Sequence, residues 1–137
     1  MKRVLVVANR TLCDQHLLDA LRAQKDAGPV AFHLLVPASH PNGAWTDAKS
    51  DREARARLTE ILDVLAIGGI PAIGEIGDPN PVTAVDDLLR HTTFDEIIVS
   101  TLPRGVSRWL SQNVVRRLSR YGLPVTHVLA EMEPAGT

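Results

Sequence analysis

Only one cysteine, Cys13, occurs among the 137 residues. That excludes a disulfide framework within the chain and any metal site built from several thiolates. Aromatic residues make up only 4%, too few to interleave with basic residues as nucleic-acid readers do. No charge excess exists either: 15 Lys and Arg stand against 16 Asp and Glu, a net −1. Charge alone therefore gives no reason to expect a polyanion partner. The first apolar run, residues 4–8 (VLVVA), is far too short for a signal peptide or a membrane span. The expectation is a cytoplasmic protein of one domain covering residues 1–137, long enough to bury about two thirds of the surface its unfolded chain exposes.

Catalytic patterns are missing too. The chain has no G-x-S-x-G elbow, no H-E-x-x-H pair and no G-x-x-x-x-G-K-[ST] loop. Its histidines, His16, His33, His40, His91 and His127, fall on different segments without ligand spacing, so they read as surface or partly buried rings. No catalytic residue and no metal ligand is assigned. Asp86-Asp87 and Asp95-Glu96 read as solvated helix and loop charges, and Cys13 as a small buried residue.

What is present is an alternation of apolar runs with helix-type segments. Residues 4–8 and 30–36 are short, β-branched and continuously apolar, which suits strands covered on both faces. Between them Leu17, Leu18 and Leu21 fall at helical spacing, ending near Gly28-Pro29. Residues 37–50 are polar and read as a loop. From Asp51, the series Ala54, Leu58, Ile61, Leu62 and Leu65 marks an amphipathic helix closed by Gly68-Gly69. A weaker strand at 70–76 is interrupted by Gly74. Asp78 or Asn80 can then cap a helix with proline in its first turn, carrying Val82, Val85, Leu88 and Leu89. A fourth strand at 94–100, a helix presenting Leu110, Val114 and Leu118, and a last strand at 124–129 complete the series.

Parallel strands need crossover connections, so this alternation predicts an α/β fold. The expected architecture is a single doubly wound, five-stranded parallel sheet of order 3-2-1-4-5 with helices on both faces. Ligands of such sheets bind beyond the carboxyl ends of the strands where the winding reverses, here between the first and fourth strands. That nominates Asn9-Arg10-Thr11 and the segment Ser100-Thr101-Leu102-Pro103-Arg104-Gly105-Val106-Ser107-Arg108. The second segment runs from a strand into a helix start, where free amides favour an anion. Thr101 and Ser107 add hydroxyls, and Arg104 and Arg108 can grip a phosphate; two solvated arginines beside a capped helix are the plainer alternative. A phosphoryl-accepting receiver would need acidic residues where Asn9-Arg10 stands, and a flavin loop would be rich in Ser, Thr and Gly there. Neither pattern is met.

Charge is unevenly distributed along the chain. No Asp or Glu lies between Glu96 and Glu131, yet Arg104, Arg108, Arg116, Arg117 and Arg120 do. Residues 75–96 hold Glu75, Asp78, Asp86, Asp87, Asp95 and Glu96 against Arg90. The arginine face is either solvated or directed at an acidic partner; nothing in the pattern indicates nucleic acid.

Three segments together resemble the universal stress protein family across nearly the whole chain. The opening VLVVANRTL is similar to that family's first strand and ligand loop. Gly77-Asp78-Pro79, a helix, and Phe94-Asp95-Glu96-Ile97-Ile98-Val99 resemble its G-D-P, helix, D-x-I-V-x-G segment. Leu123-Pro124-Val125-Thr126-His127-Val128 resembles its closing C-P-V-L-V-V strand. The resemblance implies the sheet order above, a homodimer through the last strand, a role in stress response, and ATP or AMP in the nominated cleft. It also implies a departure. Where ATP-binding members carry G-x-x-G-x9-G-[ST], this chain has Ser100 and Pro103 at the first two glycines and Gln112-Asn113 near the last pair. Asn9 stands where those members place an Asp.

The resulting expectation is a non-enzymatic small-ligand-binding or regulatory protein with an altered or lost ATP site, its cofactor not specified. An anion or nucleotide would lie at Asn9, Thr101, Arg104, Gly105, Ser107 and Arg108. The alternative is a ligand-free protein–protein interaction module using the arginine-rich last helix; a nucleotide-handling enzyme ranks below both.

Overall fold

A computed structural model describes residues 1–8, 15–37, 47–78, 80–101 and 114–129, the side chains of 37, 47–51, 53, 101 and 129 excepted. Five strands form one sheet: β1 (Lys2–Ala8), β2 (Val30–Pro37), β3 (Ala72–Gly77), β4 (Glu96–Thr101) and β5 (Val125–Leu129). The helices between them are α1 (Gln15–Ala27), α2 (Asp47–Ile67), α3 (Pro81–Leu89) and α4 (Val114–Leu118), the last continued by a 3-10 turn at Ser119–Tyr121. The order is β3-β2-β1-β4-β5, and every pairing is parallel. This is the doubly wound sheet expected from the sequence.

β1 lies at the centre because both its faces are apolar. Val4, Val6 and Ala8 join Leu17 and Leu21 of α1 and Ala54, Ile61 and Leu65 of α2 in one core layer. Leu5 and Val7 point the other way, into a layer with Ala84, Val85 and Leu88 of α3 and Val114 and Leu118 of α4. All five of these β1 side chains are completely buried, each contributing about 1.5–3 kcal/mol where the side chain is Val or Leu. The period-2 alternation of a strand thus feeds two helical layers from one apolar run.

Local chemistry sets where elements stop. Gly69, at φ 78, turns the chain out of α2 in the left-handed conformation that glycine adopts without strain. The carbonyl oxygens of Gly68 and Gly69 then accept hydrogen bonds from Arg22 and Lys25 of α1. α3 begins on an Asn80 cap, whose Oδ1 accepts from the amides of Val82 and Thr83 at 2.9 and 3.4 Å, with Pro81 as its first residue.

Two sequence expectations need correction. α2 starts at Asp47, so residues 47–50 are helix and not loop. Its first turn lacks the apolar period that marks the rest; propagation from an anchored helix costs far less than nucleation. Glu96 is not a solvated charge, whereas Asp95 is exposed as expected. Asp95 Oδ2 accepts from the Arg3 amide at 2.8 Å, while Glu96, 8% exposed, sits among polar groups from three other elements. Among the described residues, no helix is long and apolar enough to cross a membrane.

Candidate functional site

The winding reverses between β1 and β4. β1 pairs with β2 on one side and with β4 on the other, so the connections leaving these two carboxyl ends run to opposite faces. Ala8 and Ser100 are register partners at that point, and both are fully buried. Ser100 is one of two buried polar or charged side chains among the described residues. By strand alternation it faces the α1–α2 layer together with Ile98. Thr101, the last residue of β4, is partnered with Leu129 of β5.

The structure therefore sets Thr101 at the reversal, and Asn9 follows directly on Ala8 in the chain. Asn9, Arg104, Gly105, Ser107 and Arg108 lie outside the described residues, as do Cys13 and Trp109. Ala8, the residue before the first nominated segment, is the register partner of Ser100, the start of the second.

The β3 end completes this rim. Gly77 is register partner of Pro37, and a Cβ at Gly77 would come within 2.9 Å of both Ala84 Cβ and Leu35 Cδ1. Glycine there lets α3 sit directly on the sheet. Asp78 Oδ1 accepts from the Asn80 amide at 2.9 Å and shapes the turn into the Asn80 cap. In this chain the Gly77-Asp78 pair builds a helix start; Pro79 lies outside the described residues.

The remaining polar constellations lie elsewhere. At the amino ends of the strands, Lys2 Nζ approaches Glu96 Oε1 at 2.7 Å. Gln24 and Thr126 donate to Glu96 Oε2 at 2.9 and 3.3 Å. Burial pushes the Glu96 carboxyl up, but these three donors and the Lys2 charge outweigh it and hold it below the usual carboxylate range. Nothing in the sequence around Glu96 signals this cluster, because its partners lie 94, 72 and 30 positions away.

On the other face, the His33 ring meets Phe94 edge-on at 5.7 Å, and Arg3 lies over the Phe94 ring at 5.4 Å. His33 Nε2 has no hydrogen-bond partner and stands 3.8 Å from Glu75 Oε2. Burial pushes the His33 pKa down; Glu75 opposes this and Arg3 adds to it. Among the described residues, no three His, Cys, Asp or Glu side chains gather as a metal site would require. Tyr121 donates its hydroxyl to Asp86 Oδ1 at 3.2 Å, tying α3 to the turn after α4. These groups hold layers together and stand apart from the sheet reversal.

Comparison with solved structures gives the architecture its context. A universal stress protein from Archaeoglobus fulgidus superimposes with a TM-score of 0.66 at 13% identity, covering 93% of each chain. A universal stress protein family member from Arabidopsis thaliana, solved with AMP bound, gives 0.60 at 14% identity over 99% of this chain and 97% of its own. The fold is that of the universal stress proteins. A family member from Burkholderia pseudomallei gives 0.56 at 14%, covering 93% of this chain and 96% of the other. No family model matches the sequence, and no curated protein does. The universal stress protein fold is thus retained here at an identity where only the layer pattern is shared.

Proposed function

We propose that this chain is a cytoplasmic, non-enzymatic ligand-binding protein of universal stress protein type, regulatory in role, that takes a nucleotide or small anion at the β1–β4 reversal. The observation that supports this reading is the Ala8–Ser100 partnership at the β1–β4 reversal, in a fold shared by a neighbour solved with AMP bound. Asn9 would hydrogen-bond a sugar. Thr101 and Ser107 would donate hydroxyls to the anion, Gly105 would let the backbone approach it, and Arg104 and Arg108 would neutralise it. Ser100 and Pro103 in place of glycines, and Gln112-Asn113 further on, make the site an altered one that favours a smaller anion over a triphosphate.

Thermal unfolding with ATP and Mg²⁺, AMP, or inorganic phosphate at matched ionic strength tests this. A ligand at about 100 times its dissociation constant adds roughly 2.7 kcal/mol, a shift of several degrees for a small domain. The shift should disappear in Arg104→Ala and Arg108→Ala. No shift with any of the three ligands, or one retained in both variants, would overturn the placement.

We also infer a homodimer through β5. Among the described strands β5 pairs only with β4, leaving an open edge that a second copy would cover. Sedimentation at micromolar concentration should give a dimer; a monomer would remove this part of the reading.

A further inference from the structure

The sheet and its helices are neutral overall but not evenly so. α4 and the turn after it point Val114 and Leu118 into the core and leave Arg116, Arg117 and Arg120 exposed. Residues 116 and 120 are one turn apart, and 117 and 120 three positions apart, so the three guanidinium groups share one outward face. Among the described residues no carboxylate pairs with any of them; Lys2–Glu96, His33–Glu75 and Arg90–Asp86 are among the ion pairs formed elsewhere. Asp86, which meets the turn after α4 through Tyr121, accepts from both Arg90 and Tyr121. Arg104 and Arg108 extend the same sign toward the start of this helix in sequence, with no Asp or Glu between Glu96 and Glu131.

A lysine serves solubility as well, whereas the planar guanidinium is preorganised to hold carboxylates in pairs. The rest of the molecule selects the partner. Its net charge is −1 and its isoelectric point about 6.5, so the chain as a whole supplies no excess positive field for a long polyanion. Among the described residues the aromatic ring of this segment, Tyr121, is half-buried and bound to Asp86, which leaves it no free face for stacking on bases. We propose that the face formed by Arg116, Arg117 and Arg120 docks a short acidic segment of a partner protein. The surface is separate from the nucleotide or anion reading above and does not depend on it.

The test uses the full chain and a short labelled Glu-rich peptide, followed by fluorescence anisotropy. Saturable binding that weakens as salt rises is expected, because exposed charges are screened beyond about 10 Å at 0.1 M salt. Each of Arg116→Gln, Arg117→Gln and Arg120→Gln should weaken it about two- to fivefold, the effect typical of one exposed pair. The triple variant should lose it while keeping the native circular dichroism spectrum, since exposed substitutions barely alter stability. Lysine at all three positions should restore only part of the affinity. No binding, or equal binding by the triple glutamine variant, would overturn the proposal. Tighter binding of a single-stranded oligonucleotide of equal charge would also overturn it, by assigning the face to nucleic acid.

Discussion

Lys2 and Glu96 form an ion pair of 2.7 Å across β1 and β4, at the end of the sheet opposite the candidate site. Lys2 lies two positions before Val4, the register partner of Glu96, and Gln24 Nε2 and Thr126 Oγ1 reach the same carboxylate from α1 and β5. One buried acid therefore clamps four elements. Glu96→Gln keeps the shape and removes the charge, and should cost about 1–2 kcal/mol in urea unfolding. The folded state holds this carboxyl below its ordinary 4.5. Its contribution is therefore present above that value and is lost as pH falls through the lower, folded one. The glutamine variant should show a shallower acid limb; an unchanged limb would mean the cluster is without weight.

Two imidazoles act in the same direction at higher pH. Burial lowers the pKa of both His33 and His127 from the ordinary 6.5, so the unfolded chain takes up protons more readily than the folded one. Stability should fall as pH drops below about 6.5. Glu75, 3.8 Å from His33, softens this without reversing it. Melting temperatures between pH 7.5 and 5.5 should decline less in the double variant His33→Gln and His127→Gln than in the parent. Equal declines would show that neither ring is held neutral by the fold.

The contact between α3 and the end of β3 gives a steric prediction. An added methyl at Gly77 meets Ala84 Cβ at 2.9 Å, and alanine has no rotamer by which to withdraw. Gly77→Ala should cost about 1–3 kcal/mol. Gly74 differs, because the closest obstacle is the flexible Leu58 Cδ1 at 2.6 Å, with Leu34 Cβ at 3.1 Å behind it. Gly74→Ala should therefore cost less than Gly77→Ala by chemical denaturation; the reverse order would contradict the packing described.

Strand and helix identity was legible where side chains repeat. The apolar run of β1 foretold a strand covered on both faces, and Ala54, Ile61 and Leu65 foretold the buried stripe of α2. The start of α2 was not legible, since residues 47–50 carry no apolar period. Glu96 was misread for a different reason: a carboxylate's solvation depends on which distant groups converge on it, and local sequence is blind to that. For the candidate site, the topology was readable and the reversal point followed from it; the partnership of Ala8 and Ser100 needed the register.

By itself the sequence determined the order of elements, their amphipathic faces and the charge division, because periodicity and local propensity act over a few residues. Tertiary structure decided which charges are buried, which glycine admits a helix, and which arginines remain without partners. Those outcomes depend on groups brought together from positions tens of residues apart, and only closing the sheet sets their distances.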